Sequence, residues 1–262
     1  MSLKEIVEPV YTQIFDRSAR VNNTVIRAID DTITAGTFTL GSSGNLNVFI
    51  IGGSGSGANT ALDVVSTSAA DVRNTGTGAR KVTVEGLFTD IADSNKRKPR
   101  TCIFNMNGTT IVNTGAGITG TNSFCAVNKI TVLDFGNTFT NQGVITVKKT
   151  GTATVFGILQ LKHFSSKSMF YATAHDEQLL IKDIHISSSL ATASSVELFE
   201  QDLQTGGKKL IGKLFVGNNH SDINHPLNFK VGKTKAFYAT ITTLESVIST
   251  NHISANVSAI SI

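Results

Sequence analysis

The sequence predicts an all-β protein: two β-sandwich, jelly-roll-like domains in series behind a short helical N-terminal arm. Three observations carry that reading. Ser and Thr make up about a fifth of the chain and Trp is absent, and β-branched Thr suits a pleated, half-exposed surface. From Thr32 onward apolar residues recur at every second position, between turns rich in Gly, Asn and Ser. Before residue 32 the period is different and glycine is missing.

The arm is residues 1–31. Leu3, Ile6, Val7, Val10 and Ile14 recur at helical spacing, and Ser2 with Glu5 fits a capping box. Pro9 should kink or shorten this helix. Val21, Val25 and Ile29 then repeat every four residues, with Arg17, Arg20 and Arg27 interleaved. Leu3, Ile6, Val7, Val10, Ile14, Arg17 and Arg20 therefore form a candidate partner-binding arm. A helix packed on its own domain is the competing reading.

The first sandwich is read over 32–164. "TITAGTFTLG", "NLNVFII", "ALDVVSTSA", "RKVTVEGLFTD", "TCIFNMNGTTIVNT", "SFCAVNKITVLDF", "GVITVKKT" and "TATVFGILQL" are its strands. Asn107-Gly108 in "MNGT" is a hairpin signal. The texture changes after "LKHFSSKS", and the second sandwich is read over 165–262. In its last strand Ile253, Ala255, Val257 and Ala259 share one face, with Ser254, Asn256 and Ser258 on the other. Such alternation means one wall buried and one wet.

Composition narrows the setting. The formal charge of +4 is a mild bias, and a dedicated nucleic-acid binder shows a focused basic face instead. Cys102 and Cys125 are the only cysteines, so no disulfide framework and no CxxC metal pattern is expected. "MSLKEIVEPVYTQIF" has acidic residues and a proline where a secretion signal needs an apolar core. No apolar run approaches the roughly 20 residues of a membrane span. A soluble chain made in a cytoplasm is expected.

The most enzyme-like stretch is "NVFIIGGSGSGANTALDVV", residues 47–65. Gly52 to Gly57 has phosphate-loop spacing, but Ala58 and Asn59 stand where Lys and Ser/Thr are needed. Gly53, Gly55 and Ala58 fit G-x-G-x-x-A, with Asp71 further on, yet "NTALDVVSTSA" is no helix to hold a pyrophosphate. A pliable hairpin loop is the better account, and no cofactor is expected.

Other chemistry is sparse. Asp183 and His185 share a strand face, His220, Asp222 and His225 cluster in the loop "NNHSDINHPL", and His175-Asp176-Glu177 reads as a polar connection. Two His and one Asp are too few converging ligands for a firm metal site. G-x-S-x-G, H-E-x-x-H and paired carboxylates are missing, so neither catalytic nor metal residues are assigned. One basic run remains, "NKRKPR": Lys96, Arg97, Lys98 and Arg100 form a candidate contact loop for phosphate, an acidic neighbour or an import receptor. Without interleaved aromatics base stacking is not suggested, and a solvated hairpin tip is the simpler reading.

Several stretches carry a resemblance. "LDVVSTSAADVRNTGTGARKVTVEGL" (62–87), "NGTTIVNT" (107–114), "SFCAVNKITVLDFG" (123–136) and "GVITV" (143–147) resemble β-rich virion structural proteins of marine tailed phages and large algal viruses. "FYATAHDEQLLIKDIHISSS", "VELFEQD" and "PLNFKVGKTKAFYATIT" look like the paired and closing strands of that family. The likeness covers most of residues 60–262 and departs at "DSNKRKPR" (93–100). It implies no catalytic residue. It implies a non-catalytic minor capsid, vertex or decoration subunit that binds major capsid or other virion proteins. Such a subunit would be assembled in the host cytoplasm as a homo-oligomer, with a trimer favoured to cover open strand edges. A receptor- or carbohydrate-binding module of a viral fibre or tail is the alternative, although sugar sites favour aromatics at loop tips. A polysaccharide depolymerase is a third reading.

Overall fold

The computed structural model describes residues 36–39, 59–113, 123–153, 155–159, 161–166, 170–188, 194–217, 221–243 and 253–261. The arm residues Leu3, Ile6, Val7, Val10, Ile14, Arg17 and Arg20, and the glycines of 52–57, lie outside them. The described residues are all-β. Their fifteen strands pair antiparallel in four sheets, and they contain no helix.

The chain divides into two compact units. Residues 48–166 form one, here the inserted unit, and 1–47 with 167–262 form the other, the host. Strand β1 (Gly36–Thr39) pairs with β14 (Lys235–Thr243) of the host. The sequence reading had placed it at the start of the first sandwich. Alternation identifies a strand but not the partner that its edge will meet.

The inserted unit contains β2 (Leu62–Ser66), β3 (Ala79–Thr89), β4 (Arg97–Asn105), β5 (Val112–Asn113), β6 (Ala126–Phe135), β7 (Ile145–Lys149) and β8 (Val155–Leu159). They form sheets ordered β5-β2-β7-β8 and β4-β3-β6. One core joins the two. Leu62, Val64, Ile145, Val147 and Leu159 enter from the first sheet, and Val82, Val84, Phe104, Ile130 and Val132 from the second. On β3 the alternation is direct: Val82 and Val84 are buried while Thr83 and Glu85 are half-buried. Each such buried side chain contributes roughly 1.5–3 kcal/mol over leaving it in water.

The host adds β9 (Phe170–Ala172), β10 (Leu179–Ser188), β11 (Ser194–Asp202), β12 (Lys208–Val216), β13 (Ser221–Val231) and β15 (Ile253–Ser261). Its sheets are β1-β14-β11-β12, with β9 also on β14, and β13-β10-β15. Ile181, Ile184 and Ile186 of β10 meet Val196, Leu198, Phe237 and Ala239 in its core.

Both units repeat one pairing scheme. The first of six successive strands (β2, β10) pairs with the fourth (β5, β13) and the sixth (β7, β15). The second (β3, β11) pairs with the third (β4, β12) and the fifth (β6, β14).

Two local expectations are corrected. Asn107-Gly108 does form a turn, with Gly108 at φ 61° and Thr110 N donating to Asn107 O at 3.1 Å. It joins β4 to β5 across different sheets, however, so it is a corner and not a hairpin. The segment read as the loop "NNHSDINHPL" becomes strand from Ser221 onward. Pro226 sits opposite Asp183 beside an irregularity in the β10 pairing, on a strand bonded along one side only among the described residues. An edge strand tolerates a residue without an N–H.

Candidate functional site

A buried carboxylate organises one end of the inserted unit. Asp71 is fully buried. Its Oδ1 accepts hydrogen bonds from Ala79 N (2.6 Å) and Gln142 N (2.9 Å). Its Oδ2 accepts from Ser66 Oγ (2.6 Å) and Gly143 N (2.9 Å). A buried carboxylate is tolerated when its lone pairs are filled in this way. Gly78 lets the chain pass against it, since a Cβ there would fall on Asp71 Oδ1. Asp71 therefore has no oxygen to offer a ribose. Sequence reasoning had weighed it only as the acidic partner of a dinucleotide motif.

The loop that Asp71 anchors forms one wall of an open groove of about 600 Å3. Arg73, Asn74 and Thr75 project from that wall and are exposed. Asn105 and Asn107 stand at the end of β4, and Ile111, Val112 and Asn113 make the third side. Val72 and buried Met106 lie beneath. The walls are laced together: Arg73 N donates to Met106 O (2.9 Å) and Gly108 N to Asp71 O (2.7 Å). Asn113 Nδ2 is held by Asp63 Oδ1 (2.6 Å) and Thr150 Oγ1 (2.9 Å). The lining contains one cation and no carboxylate. Asn107 stood out in the sequence only as half of a turn signal and the rest did not stand out as a site, because they come together only when three separate segments meet.

The basic run lies at the β3–β4 hairpin, and its cations are engaged within the fold. Arg97 is 1% exposed and donates to Ser94 O at 2.5 Å. Lys98 Nζ lies 2.5 Å from Asp90 Oδ2, and Lys96 Nζ lies 3.3 Å from Asp93 Oδ2. Lys98 and the Ala92 amide hold the Asp90 carboxyl below the usual range, and the Asn95 amide and Lys96 do the same for Asp93. Arg100 stacks 3.6 Å over the Phe88 ring and donates to Ser123 O at 2.7 Å. Arg97, Lys98 and Arg100, with Pro99 between them, lie on a strand that pairs only with β3 among the described residues. Charge and proline on an edge discourage pairing with another chain. The stretch reads as edge protection more simply than as a phosphate contact.

The remaining candidates stay apart. After the glycines, Asn59 bonds the Thr89 backbone in both directions at 2.7 Å, and β2 follows where a phosphate site needs a helix. Asp183 and His185 are half-buried on β10, Asp222 and His225 lie on β13, and His220 is outside the described residues. Glu177 accepts from Tyr171 Oη at 2.6 Å. Among the described residues no three His, Cys, Asp or Glu side chains converge as a metal would require. Cys102 and Cys125 are buried free thiols, and burial pushes both up from the ordinary thiol range. No helix among the described residues is long and apolar enough to cross a membrane.

No family model and no curated protein matches the sequence. Among solved structures, the Gt strain of infectious bursal disease virus is similar at 12% identity and a TM-score of 0.21, over 89% of this chain and 58% of that one. The VP2 subviral particle of infectious bursal disease virus gives 10% identity and a TM-score of 0.23, over 89% and 58%. Allantoicase gives 8% identity and a TM-score of 0.26, over 97% and 98%. The chain thus spans under two thirds of the viral chains it resembles. At these scores the fold rests on the strand pairing itself. That pairing defines a class: an all-β protein built of two-sheet units, one nested in the other.

Proposed function

We propose that this chain is a virion structural protein, a non-catalytic minor capsid, vertex or decoration subunit that binds other capsid proteins. The observation that carries the reading is the repeated pairing scheme. In an eight-stranded jelly roll labelled B to I, D pairs with G and I, and E pairs with F and H. Each unit supplies six strands in that relation. Jelly rolls are a common architecture of viral shells. The sequence resemblance to phage and algal-virus structural proteins points the same way.

In this reading residues 1–31 dock on a major capsid or neighbouring subunit, through Leu3, Ile6, Val7, Val10, Ile14, Arg17 and Arg20. The chain forms a homo-oligomer in the host cytoplasm, with a trimer favoured, and joins the particle there. Mass spectrometry of purified particles is the test. A constant copy number per particle is expected, and particles without the chain would end the proposal. Deleting residues 2–31 should then abolish incorporation while leaving a soluble β protein.

Jelly rolls also serve as lectin domains, and the polar groove of the inserted unit favours a second reading. There the chain is a receptor- or carbohydrate-binding module of a fibre or tail.

A further inference from the structure

We propose that the groove between the Val72–Thr75 loop, the end of β4 and residues 111–113 binds a carboxylated saccharide. The proposal concerns a ligand site, and it stands whether or not the chain proves to be a particle component.

The lining chemistry is selective. Asn74, Asn105 and Asn107 present primary amides at the groove, each with a carbonyl acceptor beside N–H donors. That arrangement matches the neighbouring hydroxyls of a sugar ring. Arg73 is the single charge in the lining, and no ion pair to it forms among the described residues. A guanidinium reads a carboxylate through two parallel hydrogen bonds. With no carboxylate in the lining, a metal cation would meet only neutral oxygens beside a guanidinium, whereas an anionic group meets a complementary charge.

Size and rigidity fit as well. A volume of about 600 Å3 lies within the ~300–1,000 Å3 of typical ligand sites and has room for a short oligosaccharide. Ile111, 48% exposed, and Val112 offer an apolar strip to the C–H face of a ring. The groove lacks the aromatic platform of many sugar sites, so binding is expected to be weak per site and to depend on polar contacts. The backbone that carries the polar groups is preorganised. Asp71 fixes the arginine-bearing wall from behind, and the bond from Arg73 N to Met106 O ties that wall to the floor. Little backbone freedom is then lost on binding, and the cost that remains is the ordering of the exposed side chains. A nucleic-acid strand is a poorer match, because the lining has one cation and no ring to stack on.

The test is NMR or calorimetric titration of the full chain with oligogalacturonate and with sialyllactose, using lactose and inorganic sulfate as controls. Saturable binding of at least one acidic sugar is expected, at least tenfold tighter than lactose or sulfate. Arg73→Ala should weaken it about tenfold, and Asn105→Ala with Asn107→Ala should weaken it further. Arg73→Lys should recover only part of the loss, because a point charge cannot fork. All of these side chains are exposed, so the variants should keep the wild-type melting transition. The proposal is overturned if neither acidic sugar binds, if lactose or sulfate binds equally well, or if Arg73→Ala binds like wild type.

Discussion

Thr39 and Phe170 lie two register positions apart on one edge of β14, opposite Thr240 and Tyr238, although residues 40–169 run between them. β1 and β9 are therefore two halves of one strand, interrupted at the position facing Ala239. The gap is roughly 7 Å, at about 3.4 Å per residue. Replacing residues 40–169 by one or two glycines should leave the host unit folded, with a β-type circular dichroism spectrum and one cooperative melt. An insoluble or molten product would show that the host needs its insert.

Asp71 should matter to the inserted unit alone. Asp71→Ala strands three backbone N–H groups and one hydroxyl in the interior, at a cost of at least ~3 kcal/mol. Asp71→Asn keeps one carbonyl oxygen and should cost less. Hydrogen exchange is expected to rise across β2, β3 and β7 in both variants, with β10 and β11 unchanged.

β4 is predicted to be a guarded edge. Lys98→Val with Pro99→Val removes a charge and restores a backbone donor on a strand whose outer side has no partner among the described residues. Light scattering should then report oligomers that grow with concentration, while the wild-type hairpin stays unassociated through this edge. Equal scattering from both would remove the protective role.

The Asp202–Lys235 pair gives the host a pH-dependent element. Burial opposes ionisation of Asp202, but Lys235 and the amides of Thr205 and Gln204 outweigh it and hold the carboxyl at about 2. The folded value lies below the ordinary 3.8, so the stabilisation is present above that pH and is lost as pH falls toward 2. Both side chains are partly exposed, and solvent screening limits the effect to ~1 kcal/mol. Asp202→Asn keeps an oxygen for the turn amides yet loses the ion pair. Its urea midpoint should fall below wild type at pH 7, and the two should converge near pH 2.

Strand existence was legible in the sequence because burial imposes a period of two, as at Val82 and Val84 or Ile184 and Ile186. Partnership was not. β1 alternates like its neighbours and still pairs with a segment about two hundred residues away. Asn107-Gly108 announced a turn, but a turn does not say whether the chain stays in its sheet. The polar run with Asp222 and His225 made a strand look like a loop, because the sequence does not reveal which strands are edges. The groove was invisible for a related reason. Arg73, Asn107 and Asn113 are ordinary polar residues until the corner at Gly108 brings their segments together. The basic run was legible as a pattern, while its partners Asp90, Asp93 and Phe88 were not, because contacts across a hairpin tip do not show in the order of residues.

The carboxylate of Asp71 also has a bearing on time. Its acceptors meet amides 71 and 72 residues further along the chain. That corner closes only after the intervening strands have found each other, and distant closure slows folding. Contacts made so late are absent from the barrier, so losing them shortens the life of the native state more than it delays its formation. In stopped-flow chevrons Asp71→Asn should steepen nothing and slow little on the refolding limb, yet lift the unfolding limb. The inserted unit would then owe its persistence, rather than its speed of assembly, to a single buried side chain.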